Sequence, residues 1–172
     1  MKKSISLTIF LLLISAAINA QTAEEIQMLL DTPAVSYEQA ARFVLEAADV
    51  TGSYDKTSGQ EAMNFAIERK WLPKKATPQD AISLERLSLL IMKAFNLKGG
   101  PMYTWSNSAH YSYREMVFQD FIRGRTDPQM KVSGETMLYI VSRVLFLIDR
   151  DPWELPEQPE EEIYADQPED EQ

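Results

Sequence analysis

The sequence predicts an all-α protein: a bundle of about six helices from three helix-loop-helix repeats, followed by a disordered acidic tail. Three observations lead to this prediction. One amphipathic helix pattern recurs three times, no convincing alternating strand pattern is present, and the composition changes abruptly near each end of the chain. The 172 residues include no cysteine, so we expect the fold to be stabilised by packing and not by disulfides.

The clearest internal repeat relates residues 63–97 to residues 113–147 through a shift of 50 positions without a gap. Trp71 then falls on Phe121. The other matched pairs include Leu72 with Ile122, Pro78 with Pro128, Ile82 with Val132, Ser83 with Ser133, Glu85 with Glu135 and Leu97 with Leu147. Because apolar, hydroxyl and proline positions all agree, we interpret the two segments as copies of one unit.

Three segments, 35–50, 82–97 and 132–147, share the pattern of one helix. Each opens with a β-branched apolar residue, then a serine, then a glutamate two places later. A serine at the N-cap can accept a hydrogen bond from an unpaired backbone N–H. A glutamate in the first turn interacts favourably with the positive end of the helix dipole. The apolar face predicted for each is Ala40, Phe43, Val44, Ala47 and Ala48; Leu87, Leu90, Ile91, Ala94 and Phe95; and Met137, Ile140, Val141, Val144 and Leu145.

A less uniform helix precedes each of these three. The predicted segments are 22–30, 60–71 and 112–122. Each has a possible capping box at its start: Thr22 with Glu25, Ser58 with Glu61, and Ser112 with Glu115. We expect Gly99 and Gly100 to end the helix that precedes them, and residues 98–114 to form a long linker.

Residues 1–20 have the order of a secretory signal peptide. Lys2 and Lys3 come before an apolar run, and small residues end at Ala20, the better of two cleavage sites. The run is about half the ~20 residues needed to span a bilayer. We therefore expect an exported protein, periplasmic or extracellular, with no membrane insertion after cleavage and, without cysteine, no lipid anchor.

Residues 149–172 contain eleven acidic residues, one arginine and four prolines, a net charge of −10. Such a segment has too little apolar surface to offset its ordering entropy, so we expect disorder. The helical domain, residues 21–148, is close to neutral. Because it offers no basic patch, nucleic acid is excluded as a partner class.

The stretch from Phe121 through Gly124 and Pro128 into Ser133 resembles the S-layer homology module, a helix, a loop and a second helix that begins with a hydroxyl residue. The resemblance implies three motifs packed around a pseudo-threefold axis, which anchor exported proteins by binding cell-wall glycopolymers. In that family an arginine after the hydroxyl contacts the anionic polymer. Here Tyr37, Leu84 and Gly134 follow the serines, so the usual contact is missing in all three copies.

Sequence motifs for catalysis are scarce. His110 is the only histidine and the chain has no cysteine, so a metal site built on pairs of these ligands is excluded. No nucleophile elbow or phosphate-cradling glycine loop is present. We predict no catalytic residues, no metal and no cofactor. A hydrolase that uses His110 is a less favoured alternative.

The segment 98–114 is unusually rich in aromatic residues. It contains Tyr103, Trp105, His110, Tyr111 and Tyr113 within eleven residues, with Asn107 among them and Arg114 directly after. Aromatic faces with amide and guanidinium donors suit sugar stacking or a protein interface. The alternative, favoured for Tyr111 and Tyr113, is a loop that covers the core. Arg123 and Arg125 could bind an anion or pair with neighbouring aspartates. The candidate ligand contacts are Tyr103, Trp105, His110, Arg114, Arg123 and Arg125. We therefore expect a non-catalytic binding module of the cell envelope that engages a glycan, or alternatively an envelope protein in an assembly.

Overall fold

The computed structural model describes residues 24–50, 58–124 and 126–148. This part of the chain is helical and contains no strand, in agreement with the predicted all-α class. Its seven helices are α1 (24–30), α2 (Tyr37–Ala47), α3 (Gly59–Glu68), α4 (Leu84–Ala94), α5 (Pro101–Ser106), α6 (Ala109–Phe118) and α7 (Gly134–Ile148). The predicted signal peptide and acidic tail lie outside the described residues.

A closed ring of backbone hydrogen bonds joins the residues that come shortly before α2, α4 and α7. The Val35 N–H donates to the Val132 carbonyl at 2.8 Å, and the Val132 N–H donates to the Ile82 carbonyl at 3.3 Å. The Ile82 N–H completes the ring by donating to the Val35 carbonyl at 2.9 Å. All three residues are fully buried, so the ring lies in the core.

The starts of the same three helices are capped by loops from elsewhere in the chain. The first N–H groups of a helix have no partner within the helix and need one from outside. Here the pairs are Tyr37 N–H with the Asp80 carbonyl (3.0 Å), Leu84 N–H with the Met130 carbonyl (3.0 Å) and Gly134 N–H with the Thr32 carbonyl (2.9 Å). Each helix start is thereby tied to the loop that leads into another of the three.

The predicted serine caps form at two of these helices. Ser36 makes a full capping box with Gln39, and the Ser133 hydroxyl accepts from the Thr136 N–H at 3.2 Å. At Ser83 the prediction is wrong, because its side chain makes no cap hydrogen bond. The second N–H of α4 instead donates to the Pro128 carbonyl at 2.9 Å.

Four helices end in the same way, with a residue in the left-handed conformation. These residues are Asp49, Lys70, Asn96 and Asp120, which follow α2, α3, α4 and α6. In each case the next N–H reaches back to a carbonyl in the last turn, as at Leu97 to Met92 at 2.9 Å. This is the Schellman motif, formed here without glycine.

Helix α4 lies at the centre of the bundle, packed against α6 on one side and α2 on another. Most of its circumference is buried: Leu84, Leu87, Ser88, Leu89, Leu90, Ile91 and Met92. The buried Ser88 hydroxyl donates to the Leu84 carbonyl at 2.7 Å, so it is satisfied. The predicted apolar faces of α2 and α4 are buried or half-buried. On α7 the prediction is wrong for Leu145, which is exposed, while the other four residues of the predicted face are buried.

The prediction that residues 98–114 form a long linker is wrong. It holds α5 and the first part of α6, which begins at Ala109 with Ser108 as N-cap, not at Ser112. Gly99 and Gly100 do not end α4 either, since Asn96 already does so. The ring of hydrogen bonds joins the matched positions Val35, Ile82 and Val132 of the three segments. The three-repeat interpretation itself stays a prediction.

A substitution at Gly134 tests how closely α1 packs against α7. A Cβ at this position would lie 1.6 Å from the Leu29 carbonyl oxygen, a backbone atom that cannot move alone. We expect Gly134→Ala to lower the free energy of unfolding by about 3 kcal/mol, measured by chemical denaturation. Ser142→Ala, at an exposed position of the same helix, should change it by less than about 0.5 kcal/mol. Equal stability of the two variants would contradict the close approach of α1 to α7.

Candidate functional site

Helix α5 divides the aromatic residues of its segment between the core and solvent. Tyr103 is only 7% exposed, whereas Trp105 is 87% and Met102 59% exposed. The Tyr103 ring packs so closely on Gly99 that a Cβ there would lie 2.3 Å from its Cδ1 atom. The buried tyrosine therefore anchors a short helix that presents a tryptophan to solvent.

Hydrogen bonds fix α5 at both ends. Pro101 occupies the first turn, and the Gly100 N–H donates to Oε2 of Glu115 on α6 at 2.9 Å. Asn107 closes the C-terminus in the left-handed conformation, with its N–H donating to the Tyr103 carbonyl at 2.8 Å. The first of these bonds ties α5 to α6 and the second closes α5 itself, so Trp105 is carried on a defined scaffold.

Helix α6 exposes two further candidates on one side. His110 and Arg114 are four residues apart, so they lie on the same face, and both are exposed. Phe118, four residues further on, is 85% exposed, and the neighbouring Val117 is partly exposed. Phe118 was not predicted as a contact. It lies on the side of α6 away from the buried residues Ala109, Ser112 and Met116.

Two tyrosines of the same region face inward. Tyr111 and Tyr113 are half-buried and pack against the core, as the core-covering interpretation predicted for them. The Tyr113 hydroxyl lies 2.8 Å from both the carbonyl and the hydroxyl oxygen of Thr126. These rings are therefore part of the fold, and the exposed surface consists of other residues.

Arg123 is paired within the protein. Its Nε and Nη2 atoms donate to the Asp120 carboxylate at 3.0 Å and 2.7 Å, and Arg143 of α7 contacts the same carboxylate. The hydrogen bond from Arg123, with the charge of Arg143, lowers the pKa of Asp120. Arg125 lies outside the described residues. Arg123 is thus held locally by Asp120, and it is Arg143 that joins the loop after α6 to α7.

Of the six predicted contacts, the structure brings Trp105, His110 and Arg114 to the exposed sides of two adjoining helices. We call the side chains of Met102, Trp105, His110, Arg114 and Phe118 the α5–α6 surface. Tyr103 lies in the core beneath it, with its ring 5.1 Å from the Lys93 Nζ atom. Burial raises the pKa of Tyr103 and lowers that of Lys93.

The three positions at which the S-layer homology family carries its arginine do not present a cation here. Leu84 and Gly134 are buried, and Tyr37 is half-buried, where desolvation raises the pKa of its hydroxyl. Gly134 has no room even for a Cβ. An arginine at Leu84 or Gly134 would therefore require repacking around the new side chain.

Within the residues that the structure describes, no group of three or more histidine, aspartate or glutamate side chains could hold a metal ion. The same ranges contain no helix that is long and apolar enough to cross a membrane. Comparison of the chain with models of known families gave no match, and neither did comparisons with curated proteins and with solved structures.

The Asp120 cluster predicts a pH-dependent contribution to stability. The pKa of Asp120 is lowered from 3.8 in the folded protein. The ionised carboxylate therefore stabilises the fold fully at pH values above the pKa of Asp120 in the unfolded chain. This stabilisation is lost as the pH falls through the pKa of Asp120 in the folded protein. Asp120→Asn should therefore lower the melting temperature at about pH 7 and have progressively less effect towards about pH 3. A difference from wild type that stays constant over this range would contradict the assigned pairing.

Proposed function

We propose that this protein is an exported, non-catalytic binding module of the cell envelope, and that its α5–α6 surface engages an envelope glycan. The observation that carries the proposal is the exposure of Trp105 on a helix whose neighbouring tyrosine is buried. Leaving a large apolar side chain in water forgoes roughly 1.5–3 kcal/mol of transfer free energy. A contact surface accounts for such a position.

The chemistry of the surface suits a sugar. An indole face can stack on the apolar side of a pyranose ring, and the Arg114 guanidinium and His110 ring nitrogens can bond to its hydroxyl groups. All three residues are exposed, so a ligand could reach them without a rearrangement of the core. The signal-like residues 1–20 support the envelope as the place of action.

A protein partner is the second candidate, favoured by Phe118 and Met102. Phe118 is 85% exposed, and neither side chain offers a polar group to a sugar. Tryptophan, arginine and other aromatic residues are enriched among the residues that contribute most to protein interfaces. The same surface could therefore bind an envelope protein as part of an assembly.

The proposal gives His110 a contact role and not a catalytic one. Its exposed ring packs edge-on against Tyr111, with the ring centroids 5.5 Å apart. A catalytic base is ordinarily held by a second group that orients its ring nitrogens, and a hydrolase would need such a group to approach on ligand binding.

Co-sedimentation with cell-wall sacculi tests the proposal. Wild-type protein should pellet with sacculi stripped of protein, and Trp105→Ala should weaken that binding about tenfold, because an anchor residue contributes at least about 1.4 kcal/mol. Met28→Ala removes an exposed apolar side chain from α1 instead and should bind as wild type does.

Two outcomes would count against glycan binding. If the wild type stays in the supernatant with stripped sacculi but pellets with crude envelopes, the protein partner becomes the preferred candidate. If Trp105→Ala pellets as well as the wild type, the α5–α6 surface is not the contact.

A further inference from the structure

A cleft of about 470 Å³ opens between the end of α4 and helix α5. Its volume falls in the range of small-molecule sites. The lining includes Lys93 from the last turn of α4, Asn96 and Lys98 from the segment after it, Thr104 from α5, and Asn107 directly after α5. Tyr103 provides the aromatic part of its wall.

The lining is rich in hydrogen-bond donors and carries positive charge. Lys93 and Lys98 contribute two ammonium groups, and Asn96 and Asn107 contribute amides. None of the described residues that line the cleft has a carboxylate. The nearby Glu115 is engaged elsewhere, because its two oxygens accept hydrogen bonds from the Gly100 N–H at 2.9 Å and from Gln119 Nε2 at 2.8 Å.

The backbone holds these groups in place. Asn96 and Asn107 both adopt the left-handed conformation, each closing the end of a helix, so their positions are set by the ends of α4 and α5. The Lys93 ammonium lies over the Tyr103 ring at 5.1 Å from its centroid. A cation that rests on an aromatic face is partly withdrawn from water, which strengthens its interaction with an incoming anion.

We propose that this cleft binds a small organic anion of the sugar-acid or sugar-phosphate class. The anionic group meets Lys93, and the amides of Asn96 and Asn107 with the Thr104 hydroxyl bond to the ligand's hydroxyl groups. The site is separate from the exposed side of α5 that carries Trp105. It therefore goes beyond the proposed function and does not depend on glycan binding at that surface.

Titration of the purified protein, followed by the amide resonances of Asn96, Lys98 and Asn107, tests the inference. D-glucuronate and glucose 6-phosphate are the anionic probes, and glucose, which shares their ring but lacks the charge, is the neutral one. We expect saturable shifts with at least one anion and none with glucose at the same concentration. The preferred anion distinguishes a carboxylate from a phosphate ligand.

Variants separate the site from general effects of charge. Lys93→Gln should weaken binding about tenfold, whereas Lys93→Arg, which keeps the charge, should retain it. Lys74→Gln removes an exposed lysine from a loop outside the lining and should bind as wild type does. Trp105→Ala should also leave the titration unchanged, so failure at one surface is distinguishable from failure at the other.

The inference is overturned if glucose shifts the same resonances as strongly as the anions, or if no probe gives saturable shifts. It is also overturned if Lys93→Gln binds the anion as tightly as the wild type. Thermal melts of each variant show that the fold is retained, and the charge-conserving Lys93→Arg variant decides the case if Lys93→Gln is destabilised.

Discussion

The ring of backbone hydrogen bonds between Val35, Ile82 and Val132 is the constraint on which the rest of the fold depends. Each of its members lies shortly before a long core helix, so the ring fixes where α2, α4 and α7 begin. All three residues are fully buried. Opening the ring would leave buried N–H and carbonyl groups without partners, at a cost of about 1–3 kcal/mol each. The loops that cap the helix starts reinforce the same closure.

Much of this arrangement, namely where the three helices begin, could be predicted from short-range patterns in the sequence. A β-branched residue before a serine marked the start of each of the three helices, because capping and hydrophobic spacing act over a few residues. The ring itself was not predictable, since its hydrogen bonds join residues far apart in the chain. The helix end at Lys70 was also missed, because lysine gives no local sign of the left-handed conformation that packing imposes there.

The candidate surface was predictable in part. The unusual composition of the segment 98–114 identified Trp105, His110 and Arg114, all of which prove to be exposed. Helix α5 was missed because six residues that include a threonine and two aromatic residues have little helix propensity. Its position comes instead from the burial of Tyr103 and from the bond between Gly100 and Glu115. The same anchoring explains how one short helix separates a cationic cleft from an aromatic surface.

Hydrogen exchange at three amides tests the central claim most directly. If the ring holds the bundle together, the N–H groups of Val35, Ile82 and Val132 exchange only through global unfolding, with equal free energies that match the stability from denaturation. These amides should then respond alike to added denaturant. Exchange of any one of them at the rate of the exposed loop amides, or with a markedly lower opening free energy than the other two, would contradict the account.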